Sequence, residues 1–305
     1  MEMVQTVKGR INPSHLGITY SHEHLITNPP EPAVSEDPDL MLSDVERATA
    51  ELQHFSMAGG NTLVEMTTVD YGRNISMISE IAECVNIHIV VATGFLKGEY
   101  CEYHVADKSV NQLADVMIDE IENGIDGTGI RAGVIKAGSS LNKISESEEK
   151  VLRAAARAHC ETGAPISTHT QAGTMGLAQV KILRQEGAEP SKIILGHVDR
   201  NLDWDYHKQL IDSGVNLGYD QISKEKYFPD KLRIEFILRL FREEHHKRIL
   251  LSADLGRRSY WVSYGGGPGL TYILWRFIPW LRSEGLPQEA IDALLINNPR
   301  RIFSF

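Results

Sequence analysis

Short apolar runs alternate along the whole chain with longer segments that carry hydrophobic residues at helical spacing. Several of the short runs, such as residues 87–93, 193–196 and 249–252, are almost continuously apolar instead of alternating with polar residues. Such runs are typical of parallel strands that are buried on both faces. We therefore predict eight parallel strands, at residues 17–20, 62–66, 87–93, 130–136, 165–168, 193–196, 215–218 and 249–252.

The segments between these runs begin and end as helices do. Residues 43–46 (SDVE) fit a capping box before an apolar stripe that stops at Gly59, and residues 145–148 (SESE) open a helix that stops at Gly163. A third helix is predicted at residues 175–185. Parallel strands need a crossover connection, usually a helix, and no linker interrupts the series. The pattern predicts a single domain that comprises residues 1–305. It favours an α/β fold of the (β/α)8 TIM-barrel type and not an open doubly wound sheet.

Composition and charge narrow the class of protein. The formal net charge is -10 and the basic residues are scattered, whereas binding to nucleic acid needs a clustered positive surface. The three cysteines are widely spaced, which speaks against a disulfide framework and favours a reducing compartment. We find neither the apolar core of a signal peptide nor a run of ~18 apolar residues that could span a membrane. We predict a soluble, cytoplasmic enzyme with a small-molecule substrate and no nucleic-acid or membrane partner.

Potential metal ligands follow the predicted strands. In a (β/α)8 barrel the active site lies at the carboxyl ends of the strands, so side chains at those ends are candidates for chemistry. The first, fourth, fifth, sixth and eighth predicted strands lead into six such residues: His22, His24, Lys136, His169, His197 and Asp254.

The spacing of the first two histidines suits the binding of one metal ion by both. Residues two apart in a strand point the same way, so His22 and His24 can both face the barrel mouth while Glu23 points elsewhere. Neutral imidazoles and a carboxylate suit Zn²⁺, with Mn²⁺, Co²⁺ or Fe as alternatives. A single strand-end histidine is more often a hydrogen-bonded core residue, and Asp254 alone would fit a helix N-cap equally well. The combination in barrel order nevertheless predicts a metal site.

Lys136 is the unusual member of this set, because it closes the apolar run Ala-Gly-Val-Ile. Burial of a bare ammonium group costs free energy. A salt bridge, or a side chain that reaches out to water, is the simple explanation. The alternative is that the amine is desolvated, nucleophilic and chemically modified.

The chain resembles the phosphotriesterase family of the amidohydrolase superfamily, and within it the phosphotriesterase-like lactonases and the phosphotriesterase homology proteins. The similarity covers nearly the whole chain. It rests on SHEHL at 21–25, VEMTT at 64–68, ATGF at 92–95, DGTGIRAGVIKAG at 126–138, PISTHT at 165–170, GHVD at 196–199, LSADLGRRS at 251–259 and NPRRIF at 298–303. The resemblance implies two divalent metals per subunit, usually zinc, at the mouth of the barrel.

The resemblance also implies a role for each ligand. His22, His24 and Asp254 would hold the buried metal, and His169 and His197 the more exposed one. Lys136 would be carboxylated and bridge the pair, which turns a cation into an anionic ligand. A metal-bound hydroxide would be the nucleophile, since metals lower the pKa of bound water, and Asp254 would take its proton.

The loops after the strands choose the substrate. By resemblance, the acyl-homoserine lactonases of the family carry a Tyr shortly after the Thr-Gly of strand three and an Arg after the strand-seven Asp. This chain has Leu96 and Gly98 at the first place and Gln221 at the second, which makes acyl-homoserine lactonase activity a weaker hypothesis. Barrels commonly bind phosphate in the loops after strands seven and eight. There we assign phosphate contacts, also by resemblance, to Lys226, Arg257 and Tyr260; the alternative is that these are solvated charges beside a flexible GGGPG loop at 265–269.

We therefore predict a binuclear-metal-dependent lactonase that opens a small, phosphorylated sugar lactone. A phosphotriesterase or another ester hydrolase, with promiscuous activity included, is the alternative among enzymes, and an acyl-homoserine lactonase ranks lower. A barrel that binds metal or a ligand without turnover is the alternative of a different class. A homodimer is expected only from the resemblance.

Overall fold

The predicted apolar runs form the strands of one eight-stranded parallel sheet in the computed structural model, which describes residues 2–305. A two-stranded hairpin, β1 (Val4–Thr6) and β2 (Gly9–Ile11), precedes it. The eight strands follow each other in the sheet in their order along the chain. They are β3 (Thr19–Glu23), β4 (Thr62–Glu65), β5 (His88–Gly94), β6 (Val134–Ser139), β7 (Ile166–Thr170), β8 (Ile193–Gly196), β9 (Asn216–Tyr219) and β10 (Ile249–Leu251).

Two predicted strands were placed too early in the sequence. β3 begins and ends later than predicted and therefore contains His22, and β6 begins at Val134 instead of residue 130. The sheet then curves until its first and last strands meet. The backbone N–H of His22 donates to Ser252 Oγ at 3.1 Å, and the N–H of Asp254 donates to the His22 carbonyl oxygen at 3.2 Å. These bonds join β3 to the end of β10, so the sheet is a nearly closed (β/α)8 barrel.

Helices surround the barrel, and none in residues 2–305 combines the length and the apolar character needed to cross a membrane. Their bounds are α1 (Ala33–Glu36), α2 (Val45–Met57), α3 (Ile75–Cys84), α4 (Gly98–Val105), α5 (Val110–Glu122), α6 (Glu146–Thr162), α7 (Gly176–Gln185), α8 (Trp204–Asp212), α9 (Asp230–Arg242), α10 (Ile278–Ser283), α11 (Gln288–Asp292) and α12 (Asn298–Phe303), with π-helical segments at Ile273–Phe277 and Ala293–Asn297.

The predicted N-cap is correct for α6 and one residue too early for α2. At α6 the Ser145 hydroxyl accepts from the backbone N–H of Glu148, whose carboxylate accepts from the N–H of Ser145, so the capping box is confirmed. At α2 the N-cap is Asp44, not Ser43, and its carboxylate accepts from the N–H of Arg47 at 3.0 Å. Either residue type can cap a helix, and the chain uses the second.

The interior of the barrel is filled by apolar side chains at one end only. Val64, Val90, Val134, Ile194 and Leu250 point inward from their strands and pack with residues from the two ends of the chain: Val4, Leu16, Ile302 and Phe303. The carboxyl ends of the strands carry polar side chains instead. This asymmetry places the site at the mouth of the barrel.

Gly94 at the end of β5 makes a close backbone approach that only glycine allows. Its φ is +94°, and a Cβ there would collide with the backbone oxygen of Lys136 on β6. We expect Gly94→Ala to lower the free energy of unfolding by about 3 kcal/mol or more, since strain and collision add. Gly127, with φ +71° and open space around its Cβ position, gives the control, and Gly127→Ala should cost about 1 kcal/mol. Urea unfolding measures both; equal losses would show that the collision is relieved cheaply.

Candidate metal centre

The six predicted ligands come together at the carboxyl ends of the strands. All six line one cavity of about 290 Å³ at the mouth of the barrel, although β3 and the loop after β10 are more than two hundred residues apart in sequence. Each of them is buried or nearly so. The barrel therefore concentrates the donor groups that the sequence spreads along the chain: His22, His24, Lys136, His169, His197 and Asp254.

Three of these residues form a compact donor set. Asp254 Oδ1 lies 3.3 Å from His24 Nε2 and 3.8 Å from His22 Nε2. One ligand atom from each of the three residues lies within 4.8 Å of the other two. Two imidazoles and a carboxylate at this spacing suit a divalent transition metal.

Of the other two histidines, His197 lies next to His22, and His169 lies next to His197. The ring centroid of His197 is 4.7 Å from that of His22 and 4.5 Å from that of His169. Asp220, just after β9, binds His197 Nδ1 at 2.6 Å and lies 3.3 Å from His22 Nδ1. It also joins His22 and His197 in a second donor set of three. Asp220 was not among the residues predicted for the site, although an acidic residue at a strand end is a signal that could have found it.

Partners behind the rings fix which nitrogen faces the cavity. Thr67 Oγ1 lies 2.8 Å from His24 Nδ1, and Asp220 takes Nδ1 of His197. Both contacts leave Nε2 of the ring directed away from the partner. Metal-binding histidines ordinarily have such a partner on their second nitrogen, because it fixes both tautomer and orientation.

The protonation states also suit ligands. Burial, with a smaller contribution from Lys136, lowers the pKa of His22 to about 3, and burial likewise lowers the pKa of His169 well below its ordinary value. Both imidazoles are therefore neutral. Burial alone would raise the pKa of Asp254, but the ammonium of Lys224 and the neighbouring histidines lower it well below the usual range. Asp254 is thus a carboxylate, as a metal ligand must be.

Lys136 is fully buried at the centre of the set. Its Nζ lies 3.0 Å from His22 Nε2, the one hydrogen-bond partner that it has among residues 2–305. Burial lowers the pKa of this amine to about 8, against the opposing effect of nearby carboxylates such as Asp254. An ammonium group has three donors and needs acceptors for each. Neutral imidazoles, a carboxylate and a buried amine with one hydrogen-bond partner together fit a divalent metal site.

Glu23 supports the site from behind. Its side chain points away from the cavity, as the alternation of the strand predicts, and contacts the turn that carries Asp254. Its Oε1 accepts from the backbone N–H groups of Ala253 at 2.7 Å and Asp254 at 3.2 Å, and Oε2 accepts from that of Leu255 at 2.8 Å. The Ser252 hydroxyl lies 2.6 Å from Oε1. Asp254 has a φ of 50°, in the left-handed region that costs free energy for a non-glycine residue. The buried carboxylate therefore holds the turn that presents Asp254.

We expect Glu23→Gln to lower kcat by roughly 10- to 100-fold, because it would displace Asp254, for which we predict a catalytic role, and small displacements of such a group are costly. The amide keeps one acceptor, but its NH₂ group would face backbone N–H donors. Steady-state kinetics, with metal content measured on the same samples, tests this. Glu51→Gln is the control: Glu51 is also fully buried and accepts from the N–H groups of Ser263 and Leu270. Equal losses of kcat in both variants would make the effect one of general stability.

Two of the three residues predicted to contact phosphate line the cavity, and the third does not. Arg257 and Tyr260 line the cavity, whereas Lys226 is exposed at its edge, with Nζ 5.3 Å from the centroid of the Tyr260 ring. Arg257 is also paired with Asp37 at 2.5 Å. Lys224, to which the sequence analysis gave no role, lines the cavity instead, with Nζ 2.8 Å from Asp254 Oδ2.

Further cavity residues lie beyond the ends of the strands, and among them the sequence singled out Leu96 and Gln221 through the comparison with acyl-homoserine lactonases. They lie after β4, β5, β7, β8 and β9, and no spacing rule connects them. They are Tyr71, Leu96, Lys97, Tyr100, Gln171, Arg200, Gln221 and Tyr227.

A parallel barrel whose strand ends bring together histidines, a carboxylate and a buried lysine defines a class of metal-dependent barrel hydrolases. The chain belongs to the phosphotriesterase family, which it matches over residues 2–303. It is therefore a metal-dependent hydrolase that acts on ester bonds.

Individual relatives agree with this membership. The chain is 38% identical to a phospho-furanose lactonase of Mycoplasmopsis agalactiae, with 100% of this chain and 92% of the relative covered. A crystal structure of a lactonase from Listeria monocytogenes superposes with a TM-score of 0.95 at 37% identity, covering 99% of both chains. The phosphotriesterase homology protein of Escherichia coli, solved with phosphate in its active site, gives a TM-score of 0.91 at 37% identity, covering 96% of this chain and 100% of that one.

Proposed function

We propose that the protein is a lactonase that opens a small, phosphorylated sugar lactone with the help of two divalent metals. The observation that carries the proposal is one cavity that holds both the donor set and a group of cationic side chains. The names of the relatives support it, since one acts on phospho-furanose lactones and another binds phosphate in its active site.

The ligand assignment is also a proposal. His22, His24 and Asp254 would hold one metal, His169 and His197 the other, and a carboxylated Lys136 would bind both. The contacts that support it are the three-residue donor set, the adjacent His169 and His197 rings, and the partly unsatisfied amine between them. Zinc suits these ligands, with Mn, Co or Fe as alternatives. When bound, such metals act as Lewis acids on the substrate carbonyl and lower the pKa of water.

Asp254 would be the proton carrier. Its Oδ2 accepts from Gln221 Nε2 at 2.7 Å and from Lys224 Nζ at 2.8 Å, which leaves Oδ1 facing the histidines. We propose that Asp254 takes a proton from the attacking water and delivers it to the ring oxygen of the lactone as the C–O bond breaks. Gln221 and Lys224 would hold the carboxylate in place during this transfer.

The phosphate would contact Lys226, Arg257 and Tyr260 at the edge of the cavity. Lys226 is exposed, so its ammonium is accessible to an anion, and its Nζ and that of Lys224 lie 5.3 Å and 5.4 Å from the centroid of the Tyr260 ring. Arg supplies a bidentate fork and Lys a point charge toward phosphate.

The test compares kcat/KM for one five-membered sugar lactone with and without its phosphate. We expect a preference of about 100-fold or more for the phosphorylated form, as expected when a charge-assisted contact is lost. Equal values for the two lactones would overturn the assignment of the cationic loops. A higher kcat/KM for a phosphotriester than for either lactone would make the protein an organophosphate hydrolase instead.

Three broader expectations remain predictions. We propose that residues 1–305 form a single domain, that the protein is cytoplasmic and that it forms a homodimer. Cys84, Cys101 and Cys160 are all free thiols, which is compatible with a reducing compartment. Sedimentation of the purified protein would test the dimer.

A further inference from the structure

The cations around the cavity differ in whether a carboxylate already neutralises them. Lys224 is paired with Asp254, and Arg257 has Asp37 at 2.5 Å and Asp39 at 3.6 Å. Arg200 also lines the cavity, but among the described residues 2–305 its guanidinium has neither an ion-pair partner nor a hydrogen-bond acceptor. An arginine without a partner in a pocket that binds small molecules is a candidate for contact with the ligand.

The fold holds Arg200 beside the metal site. It ends the 3-10 turn Val198–Arg200 that directly follows His197, and its backbone N–H donates to the His197 carbonyl oxygen at 3.1 Å. Asp199 anchors this turn from behind, because its fully buried carboxylate accepts from Arg233 Nε at 2.8 Å and from the N–H of Gln221 at 3.0 Å. The backbone that carries Arg200 is therefore fixed next to a predicted metal ligand.

The side chain of Arg200 is held by stacking. Its guanidinium carbon lies 3.7 Å from the centroid of the Tyr227 ring, and Lys226 Nζ lies 5.1 Å from the same centroid. Stacking uses the face of the guanidinium and leaves its N–H groups free at the edges. The two cations therefore border one aromatic ring at the rim of the cavity, and neither has a carboxylate partner within 4.0 Å in residues 2–305.

We propose that Arg200 is a further contact of the substrate phosphate, which it approaches from the Tyr227 side of the cavity beside the three residues already assigned. Lys226 connects the two sides, because its Nζ lies 5.1 Å from the centroid of Tyr227 and 5.3 Å from that of Tyr260. This inference rests on the proposed function. Arg200 adds a positive charge that no carboxylate within 4.0 Å opposes among residues 2–305, whereas the single positive charge of Arg257 already faces two carboxylates. The free edges of Arg200 offer the bidentate contact, and Lys226 adds the point charge.

Arg200→Gln is expected to raise KM for a phosphorylated five-membered lactone by roughly 10- to 100-fold, as for the loss of a charged hydrogen bond. The kcat should stay within about 2-fold, because this contact is equal in ground and transition states. KM for the unphosphorylated lactone should not change. Arg200→Lys should recover part of the loss, since it keeps the charge without the fork.

Arg239→Gln is the matched control. Arg239 also stacks on an aromatic ring, with its guanidinium carbon 3.7 Å from the centroid of Trp204, but it lies on the exposed side of α9, away from the cavity. We expect wild-type kinetics from this variant. Metal content, measured on every sample, should match the wild type and so exclude an indirect effect through His197.

Direct binding gives a second readout. Calorimetry with ribitol 5-phosphate and with ribitol, neither of which has a lactone to hydrolyse, should show that Arg200→Gln weakens only the phosphorylated compound. A wild-type enzyme without preference for the phosphorylated lactone would defeat the proposed function itself. A wild-type preference that Arg200→Gln leaves intact, or an equal loss on both lactones, would overturn only the role of Arg200.

Discussion

Asp254→Asn is expected to lower kcat by about 10³-fold, within the range found when a positioned acid or base is lost. The substitution keeps the size of the side chain but removes its charge and its ability to carry the proton. The amide must also direct an NH₂ group either at the histidines or at Gln221 and Lys224, which are already donors to Oδ2. The variant should keep metal, because the other predicted ligands remain.

Three measurements separate this result from a loss of structure. Metal per chain, thermal stability and kcat are determined for Asp254→Asn and for the control Asp44→Asn. Asp44 caps α2 at the protein surface, and asparagine caps helices equally well. The control should behave as the wild type in all three. Full activity in Asp254→Asn would mean that another group takes the proton.

The barrel could be predicted from the sequence because its signals are local. A buried parallel strand needs a continuous apolar run, and each of the eight predicted runs overlaps a strand of the sheet. The ends of strands are harder to predict, since β3 continues through Ser21 and His22 where an apolar pattern stops. Their polar side chains are buried in the barrel mouth by contacts with β10 and the loop after it, which no local pattern contains.

The candidate ligands could be predicted for a related reason. The carboxyl ends of parallel strands must meet, so a histidine at the end of one strand is brought toward those at the ends of others. Glu23 shows the limit of this reasoning. The alternation of the strand correctly predicts that its side chain points away from the cavity. Its carboxylate oxygens accept hydrogen bonds from backbone N–H groups about 230 residues later in the chain, which no local pattern indicates. Arg200 was missed, and so were the contacts of Gln221 and Lys224 with Asp254, because loop geometry determines where these side chains lie.

Lys136→Met is expected to reduce the divalent metal content to one ion per chain or fewer and to abolish most hydrolysis. The buried amine lies 3.0 Å from His22 Nε2, and burial lowers its pKa to about 8, so it is neutral in a larger fraction of molecules than an ordinary lysine. A neutral amine can react with CO₂ to give an anionic carbamate and a released proton, and the carbamate would offer two oxygens to the two cations. Methionine fills the space but offers no anionic oxygen.

Two further variants make this prediction specific. Lys136→Glu restores an anionic ligand and should retain more metal and activity than Lys136→Met. Lys192→Met is the control, because the ammonium of Lys192 is partly buried and donates to the backbone oxygens of Arg301 and Ser304, outside the cavity. It should keep the wild-type metal content.

The modification itself has a spectroscopic signature. Wild-type protein equilibrated with ¹³C-labelled bicarbonate should give a carbamate signal in the ¹³C NMR spectrum that Lys136→Met lacks and Lys192→Met keeps. A wild-type enzyme with two metals and no carbamate signal would show that Lys136 stays unmodified. In that case its amine would have to lose its proton, since an ammonium group cannot lie between two divalent cations, and the metals would need another bridging ligand.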